Sequence, residues 1–439
     1  MVNWHLTAAE AAYIVDDCGA RALIVDAALA DLGAELAPMT TGVEVRWAYS
    51  GTIAGHEDLD AAAAAEPPHA PADQPRGADM LYSSGTTGRP EGIKPALPDR
   101  QIGDPGDTMT AMNATVWDVG PDTVYLSPAP LYHAAPLRTC AAVQALGGTV
   151  VVMDRFDAQR ALAAIEKYRI TYSQWVPTMF VRMLRLPEEV RSQYDVSSLR
   201  VAVHAAAPCP IDIKHQMIDW WGPILSEYYS STELNGLTIV DSEEWLARPG
   251  TVGKAMLGTV HICDDAGTEL PAGAVGTIYF ERDELPFEYH NDPEKTRAAQ
   301  HPAHSTWTTT GDVGYLDDDG YLFLTDRDSF MIISGGVNIY PQEIENALIA
   351  HPRVLDAVVV GLPDPDLGER VTAVVQPVDG QPADDGFADE LLSYLRERIA
   401  GFKVPRTIAF RAELPRTPAG KLIKRHITDE LENARSGTL

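Results

Sequence analysis

Six small or hydroxylated residues stand together where a short apolar stretch ends near Tyr82. Glycine lets backbone N–H groups come close to phosphate oxygens, and serine and threonine hydroxyls add further donors. No GK[ST] sequence follows, so this is not a Walker-type loop. A flexible Gly/Ser turn would have the same composition, and for the hexamer alone the two interpretations stay open. The residues of this candidate phosphate loop are Ser83, Ser84, Gly85, Thr86, Thr87 and Gly88.

Four other short stretches combine residue types that suit a nucleotide and an acid. EYYSSTE, residues 227–233, places aromatic rings beside hydroxyls and carboxylates, and a Gly-Asp pair contains Asp312. A Gly-Gly pair lies in SGGVNIYPQEIE, and RTPAGKLIKR contains Lys421. Each stretch also has a plain structural interpretation: a polar loop with one core tyrosine, a turn aspartate, a hairpin turn and a solvated lysine.

In this order the stretches resemble the signatures of the adenylate-forming superfamily of acyl-CoA synthetases, luciferases and peptide-synthetase adenylation domains. The resemblance covers nearly the whole chain. It implies an α/β fold with a large N-terminal domain of mixed and parallel sheets packed with helices, a β-rich subdomain, and a small mobile C-terminal α+β domain. The implied domains are residues 1–327 and 328–439, with a pivot at Asp328-Ser329 that withdraws Lys421 and brings in the glycine pair for the second step.

The resemblance also implies roles for individual residues. Lys421 would grip the carboxylate and the α-phosphate, while Thr86 and Glu233 would hold Mg²⁺, which prefers oxygen ligands. His133, in PLYHAAP, and residues 204–210, HAAAPCP, would border the acyl pocket. Besides the phosphate loop, the residues implied to bind nucleotide or coenzyme A are Ala206, Tyr228, Tyr229 (stacked on adenine), Ser231, Thr232 (on a phosphate oxygen), Asp312 and Arg327 (on the ribose hydroxyls), and Gly335 and Gly336 (along the pantetheine tunnel).

These roles predict an acyl-CoA synthetase that uses ATP, Mg²⁺ and coenzyme A. A carboxylic acid, fatty or otherwise hydrophobic, would first become an acyl adenylate, and coenzyme A would then displace AMP. The acid is already ionised at neutral pH, so the first step needs positioning and charge neutralisation rather than a general base. Two alternatives stay open: a ligase that delivers the acyl group to a carrier protein, and an inactive nucleotide-binding homologue.

The amino-acid composition limits the classes of binding partner and the cellular compartments that are expected for this protein. The chain has 439 residues, of which 63 are acidic and 34 basic, giving a formal net charge of −29. This field repels nucleic acid, so a small-molecule acid is the expected partner. No apolar run is long enough for an integral membrane segment, and the beginning of the chain does not resemble a signal peptide. Four scattered cysteines without a CxxC pair favour the reducing cytoplasm.

Periodicity predicts the order of elements. The chain begins as helix then strand, and the Ala/Pro-rich residues 61–75 are expected to form an exposed connector. Strand–helix alternation from residue 149 to about 221 favours a parallel sheet, and short strands follow residue 248. The tail should contain strand MIIS, a helix opened by Pro341, strands DAVVVG and VTAVVQ, a helix with apolar positions Leu391, Leu392, Leu395 and Ile399, and a strand near Thr407.

Some residues depart from the family pattern. Glu91 stands where lysine is usual, which places an anion beside the triphosphate; Lys94 and Arg89 are candidates to compensate. Relatives ordinarily begin upstream of the first residues here, so the large domain is expected to be truncated at its start, with homodimerisation or aggregation as outcomes. A misassigned start of the chain is the alternative. His301 and His304 have metal-like spacing but no evident third ligand, and we expect them to be loop residues.

Overall fold

A computed structural model describes residues 1–84, 90–105, 107–327, 332–334, 337–365, 367–416, 422 and 424–436. The chain divides into two compact units. The smaller unit contains Met1–Thr108, Leu131–Leu137 and Pro286–Ala298, and the larger unit contains Met109–Pro130, Arg138–Leu285 and Ala299–Leu439. Among the described residues, none of the helices has the length and apolarity needed to cross a bilayer.

The described helices are α1 (Ala8–Asp17), α2 (Ala30–Met39), α3 (Leu59–Ala65), α4 (Thr108–Val116), α5 (Ala134–Ala145), α6 (Ala158–Tyr168), α7 (Pro177–Leu184), α8 (Glu188–Arg191), α9 (Ile211–Trp221), α10 (Ser242–Ala247), α11 (Pro293–Ala298), α12 (Pro341–Ile349), α13 (Asp385–Arg396) and α14 (Lys424–Ser436). The described strands are β1 (Ala22–Asp26), β2 (Val45–Tyr49), β3 (Glu57–Asp58), β4 (Leu81–Ser84), β5 (Pro90–Lys94), β6 (Val124–Ser127), β7 (Thr149–Val152), β8 (Tyr172–Trp175), β9 (Val201–His204), β10 (Leu225–Ser230), β11 (Leu237–Asp241), β12 (Thr251–Leu257), β13 (Thr259–Cys263), β14 (Gly276–Glu281), β15 (Glu288–Tyr289), β16 (Trp307–Thr308), β17 (Asp312–Leu316), β18 (Leu322–Arg327), β19 (Ile332–Ser334), β20 (Val337–Ile339), β21 (Val354–Asp364), β22 (Gly368–Pro377) and β23 (Thr407–Phe410).

The larger unit is built on a 12-stranded sheet in the order β13-β14-β17-β18-β12-β11-β10-β9-β8-β6-β7, with β16 paired to β14. Strands β6 to β10 pair in parallel with one another. The next pair, β10 with β11, is antiparallel and begins the β-rich half of the sheet. All four residues of β8 are buried, as expected for a parallel strand covered on both faces. Helices α6, α7 and α9 cover this half of the sheet, and Trp175, Phe180 and Trp221 pack together in the core.

The last part of the larger unit, called the tail here, comprises the described residues from 332 to 436. Its five-stranded sheet has the order β20-β19-β22-β21, with β23 added in parallel to β22. Helices α12 and α13 cover one face, where Ile344, Leu348, Phe387 and Leu391 are fully buried. Pro341 stands in the first turn of α12, where its missing N–H has no helical partner to lose.

The smaller unit contains two three-stranded sheets, β1-β2-β3 and β15-β5-β4. Helix α1 begins with a capping box, because the Thr7 hydroxyl accepts from the Glu10 N–H while the Glu10 carboxylate accepts from the Thr7 N–H. In the β4–β5 pair Ser84 lies opposite Pro90 and Ser83 lies opposite Glu91. This hairpin therefore carries the candidate phosphate loop.

The α/β fold class predicted from the sequence is confirmed, and so are the tail strands and the beginning of α12 at Pro341. Two local predictions are wrong. Residues 61–65 of the expected connector belong to α3, because the Asp58 carboxylate caps the helix through the Ala61 N–H and alanine has the highest helix propensity. Ile399 lies beyond the end of α13 at Arg396, although it still packs against the tail core.

Candidate functional site

A cavity of about 260 Å³ lies in the larger unit where strands β9 and β10 end. Because β9 and β10 are parallel, their carboxyl ends meet at one sheet edge, which is where open α/β sheets commonly bind ligands. The tail forms the opposite wall. The sheet side of the lining includes Ala206, Ala207, Pro208, Glu227, Tyr228, Tyr229, Asp312 and Thr325, and the tail side includes Gln342, Glu345, Asn346, Arg416, Leu422 and Lys424.

Tyr229 and Asp312, which are 83 residues apart in sequence, meet inside this cavity. The Tyr229 hydroxyl donates a hydrogen bond of 2.7 Å to Asp312 Oδ2, and the Thr310 hydroxyl donates to the same oxygen at 3.1 Å. The Tyr229 ring is supported by Phe280, with ring centroids 6.1 Å apart. Asp312 is placed by β17, where it lies opposite Arg327 of β18. A supported ring beside a carboxylate suits a planar base next to a diol, which are the two parts of a nucleoside.

Ala206 adopts a left-handed backbone conformation, with φ of 74°, directly after β9. A residue with a Cβ rarely takes this conformation, and such strain often marks a functional turn. Ala206 lines the cavity, and its side chain is small enough to leave room beside Tyr229. The turn therefore brings backbone close to the space that a ligand would occupy.

A buried charge pair beneath the cavity was not predicted from the sequence. Glu227 lines the cavity and is 5% exposed, and its Oε2 accepts a hydrogen bond of 2.6 Å from Nζ of Lys214, which is fully buried on α9. The Lys214 Nζ also lies 4.6 Å from the ring centre of Trp245. Burial raises the pKa of Glu227, and the neighbouring ammonium opposes this shift. No motif indicated the pair, although a lysine on an otherwise apolar helix face is a signal that could have found it.

His204, the last residue of β9, completes this cluster. Its Nε2 lies 3.6 Å from Glu227 Oε2, and neither ring nitrogen has a hydrogen-bond partner within the part of the chain that the structure describes. Burial, together with the positive charge of Lys214, holds the pKa of His204 well below its usual range. His204 is therefore neutral at pH 7, and the cluster contains one anion and one cation.

The second half of EYYSSTE is held by contacts within the larger unit. Arg138 Nη1 donates to the Thr232 carbonyl at 3.3 Å, and the Ser231 hydroxyl donates to Asn235 Oδ1 at 2.9 Å. The Tyr228 hydroxyl accepts from Gln174 Nε2 at 3.1 Å. Burial raises the pKa of Tyr228 to about 12 despite the opposing charge of Arg138, so Tyr228 stays protonated. Arg138 was not predicted from the sequence.

Two ion pairs stiffen the tail wall of the cavity. Arg416 donates to both carboxylate oxygens of Asp356 at 2.6 Å, which is the bidentate geometry of a strong pair. Lys424 Nζ lies 2.8 Å from Glu345 Oε1, and the same carboxylate oxygen accepts the Val359 N–H. The sequence did not indicate these partners, since the pairs join distant elements of the tail.

Several predicted site residues cannot be placed. Outside the described residues lie Gly85, Thr86, Thr87, Gly88, Gly335, Gly336 and Lys421, and the side chains of Ser83, Ser84 and Arg327 are not described either. Glu233 is described and half-buried, in the loop after β10. In the smaller unit His133 precedes α5, and its ring lies 4.6 Å from that of Tyr132. The assigned roles of all these residues stay predictions.

The anion predicted beside the triphosphate has a partner in the smaller unit. Glu91 on β5 forms an ion pair with Lys295 on α11. The Lys295 Nζ also lies 4.7 Å from the ring centre of Tyr289, whose strand pairs with β5. The charge of Glu91 is thus countered by Lys295, which the sequence did not indicate. The suggested Arg89 lies outside the described residues.

The two histidines of HPAH take part in packing. His301 Nε2 lies 2.8 Å from the Gly267 carbonyl, and the His304 ring stacks on Trp307 with centroids 4.2 Å apart. Within the described residues no three His, Cys, Asp or Glu side chains group as a metal site.

The larger unit thus has a cavity at the carboxyl ends of parallel strands, bounded by the sheet edge and the tail, which is the place where α/β proteins commonly bind ligands. Comparison with known proteins identifies the family to which this fold belongs. The family model described as AMP-binding enzyme matches residues 1–289, and the model described as AMP-binding enzyme C-terminal domain matches residues 343–421. The chain belongs to the AMP-binding enzyme family, as the resemblance in its motifs implied.

Named relatives come from several branches of this family. A feruloyl-CoA synthase from an Amycolatopsis species is 36% identical over 361 residues, which cover 81% of this chain and 70% of that protein. A fatty acid–[acyl-carrier-protein] ligase from Streptomyces coeruleorubidus is 32% identical over 440 residues, covering 98% and 81%. The crystal structure of ATP-bound MatB from Rhodopseudomonas palustris superimposes with a TM-score of 0.81 at 29% identity, covering 99% of this chain and 83% of that one. The predicted enzyme class, an acid–thiol ligase, is the class of the feruloyl-CoA synthase and of the long-chain-fatty-acid–CoA ligases among the relatives.

Proposed function

We propose that this protein is an AMP-forming acyl-CoA synthetase for a fatty or other hydrophobic carboxylic acid. The observation that carries the proposal is the cavity in which Tyr229 and Asp312 meet at the sheet edge, closed by the tail of an AMP-binding enzyme. We assign the adenine to Tyr229 and Ala206 and the ribose hydroxyls to Asp312 and Arg327. Ser231 and Tyr228 would complete the nucleotide site.

In the first step the acid's carboxylate oxygen attacks the α-phosphorus of ATP, and the bond to pyrophosphate breaks. Negative charge spreads over the phosphoryl oxygens, so preorganised cations and donors lower the barrier. In the described wall Lys424 and Arg416 already face the carboxylates Glu345 and Asp356. From the family resemblance we assign the charge on the α-phosphate to Lys421 and to the hydroxyls of Ser83, Ser84, Thr86 and Thr87.

In the second step the sulfur of coenzyme A attacks the acyl carbon, the thiol proton is lost, and AMP leaves. We propose that Gly335 and Gly336 line the pantetheine path, since a residue without Cβ permits close approach. His133 would border the acyl pocket. The proposed domains are 1–327 and 328–439, and the two separate family-model matches support a division in this region.

Mg²⁺ would be held by Thr86 and Glu233 together with phosphate oxygens of ATP. The donor set fits this ion, because Glu233 is a half-buried carboxylate beside the Thr232 loop and Mg²⁺ commonly combines one or two protein oxygens with phosphate. The ion would neutralise the departing pyrophosphate. A cytoplasmic location and a homodimer also stay predictions.

A second candidate function is transfer of the acyl group to a carrier protein. The similarity of 98% of this chain to a carrier-protein ligase supports this second candidate. The test is AMP formation assayed over short, medium, long-chain, aromatic and steroid acids, with coenzyme A, with a carrier protein, or with neither. Acid- and CoA-dependent AMP release with thioester formation supports the synthetase, and release only with the carrier protein supports the second candidate.

The matched variants are Asp312→Ala and, as a control, Asp265→Ala, since Asp265 is exposed in a turn. Loss of a charged hydrogen-bond acceptor for the ribose should lower kcat/KM for ATP about tenfold or more. The control should behave as the wild type. Binding of ATP without AMP formation from any acid would instead identify an inactive nucleotide-binding protein.

A further inference from the structure

One helix of the larger unit, α7, supports the tail. Its inner face carries Phe180 and Met183, which are fully buried in the main core. Its outer face carries Val181 and Arg182, which border a small cleft shared with Leu355 and other tail residues. Ile349, at the end of α12, also packs against the main core. The tail therefore packs against α7 and the main core through apolar side chains.

Arg185, the C-cap residue of α7, donates four hydrogen bonds to backbone carbonyls of the tail. Its Nη2 donates to the carbonyls of Ile349, His351 and Val354 at 3.5, 3.2 and 2.8 Å, and its Nη1 donates to the Pro352 carbonyl at 2.9 Å. These carbonyls belong to the last turn of α12 and the segment that follows. A helix C-terminus carries partial negative charge and unpaired carbonyls, so a guanidinium is the side chain best suited to cap it.

The same helix, α12, is a wall of the cavity. Gln342, Glu345 and Asn346 line the cavity from α12, and Ile349 lines it from the capped end. Any motion that withdraws α12 from α7 must break the Arg185 contacts and must also open the cavity. A reaction with three substrates and three products in one cavity needs such opening, since ATP and acid must enter and pyrophosphate and AMP must leave.

We propose that Arg185 is a positioning residue that holds α12 closed over the nucleotide during adenylation, and that breaking its bonds to the carbonyls of residues 349–354 opens the cavity for the thioester step. The inference rests on the proposed function for its kinetic consequence. Its structural consequence, closure of α12 on α7, does not depend on any activity. No backbone carbonyl can be removed by mutation, so Arg185 is the side of this contact that can be tested.

The first test uses the full-length protein without substrates. Hydrogen–deuterium exchange is compared for wild type, Arg185→Ala, Arg185→Lys and the control Arg200→Ala, whose exposed ion pair is with Asp122, a residue outside the tail. Arg185→Ala should increase exchange about tenfold in residues 341–354 and leave α13 unchanged, because α13 is held by the tail core. Arg185→Lys should fall between, since one ammonium cannot reach both sides of the turn. Unchanged exchange in 341–354 would overturn the proposal.

The second test separates the two half-reactions. Arg185→Ala should slow acid-dependent exchange of pyrophosphate into ATP about tenfold, while single-turnover transfer from preformed acyl adenylate to coenzyme A stays equal or becomes faster. A merely structural role would slow both half-reactions together, and that result would overturn the proposal. If the wild type shows no pyrophosphate exchange, the proposed function fails, and the hydrogen–deuterium result then decides the role of Arg185 alone.

Discussion

Replacing Lys214 by methionine should strongly destabilise the larger unit, because it leaves the Glu227 carboxylate buried without its cation. The Lys214 side chain is 0% exposed and that of Glu227 is 6% exposed, with 2.6 Å between Nζ and Oε2. Removing one member of a fully buried ion pair costs about 3–5 kcal/mol. We therefore expect Lys214→Met to lower the free energy of unfolding by about that amount at pH 7.5. Methionine keeps most of the packing against Trp245, so the loss reports on the charge.

The double variant Lys214→Met/Glu227→Gln separates the charge from the packing. With both charges removed, the loss should shrink to about 1 kcal/mol, since a neutral pair has no ion to desolvate. Urea unfolding followed by circular dichroism measures all four members of this cycle. A single-variant loss below about 1 kcal/mol, or a double-variant loss equal to the sum of the singles, would refute the buried pair.

The sign of the pH effect gives an independent check on the same variant. Without Lys214, the pKa of Glu227 in the folded protein should rise further above its unfolded value. A carboxyl group with a raised folded pKa loses stability as pH rises, because the unfolded chain releases its proton first. The defect of Lys214→Met should therefore be smaller at pH 5 than at pH 7.5.

Three further predictions concern individual contacts in the two units. Tyr229→Phe removes the 2.7 Å hydrogen bond to Asp312, and the KM for ATP should rise about fivefold with little change in kcat, as measured by steady-state kinetics. Glu91→Lys and Lys295→Glu should each lower the free energy of unfolding by about 1 kcal/mol by placing like charges together, as measured by urea unfolding, while the double reversal restores it; a double variant as unstable as the worse single would contradict this. The pKa of His204 is depressed in the folded protein, so below about pH 6.5 this histidine binds a proton in the unfolded chain but not in the folded one. The free energy of unfolding should therefore fall by up to about 1.4 kcal/mol per pH unit as the pH is lowered. Thermal unfolding of His204→Phe should accordingly lose less stability than wild type between pH 7.5 and 5.5, and equal losses would exclude this role of His204.

Local sequence patterns were sufficient for much of the fold. The start of α12 at Pro341 and strand β14 follow from signals within a few residues, and these elements lie where they were expected. The meeting of Tyr229 with Asp312 was implied by motif resemblance rather than by periodicity, and the structure places the two side chains in contact. Their chemical roles stay predictions.

The contacts that were missed join residues far apart in sequence. Glu91 and Lys295 are 204 residues apart, and Arg185 lies 164 to 169 residues before the carbonyls it binds. Such pairs depend on how strands and helices pack. Glu91 was noticed beside the phosphate loop, but nothing in the sequence around Lys295 or Arg185 indicated their partners. Glu227 lies in a motif, yet its ion pair depends on α9 packing beneath β10, which the motif does not encode.

The central claim is that one site joins a carboxylic acid to AMP with the help of Lys421. Exchange of labelled pyrophosphate into ATP, in the presence of an acid that supports AMP formation, measures this step without coenzyme A. We predict acid-dependent exchange by the wild type and by the control Lys167→Ala, and a loss of about 100-fold or more in Lys421→Ala, the scale of removing one group that stabilises transition-state charge. Full exchange activity in Lys421→Ala, or ATP binding by the wild type without exchange for any acid, would contradict the account.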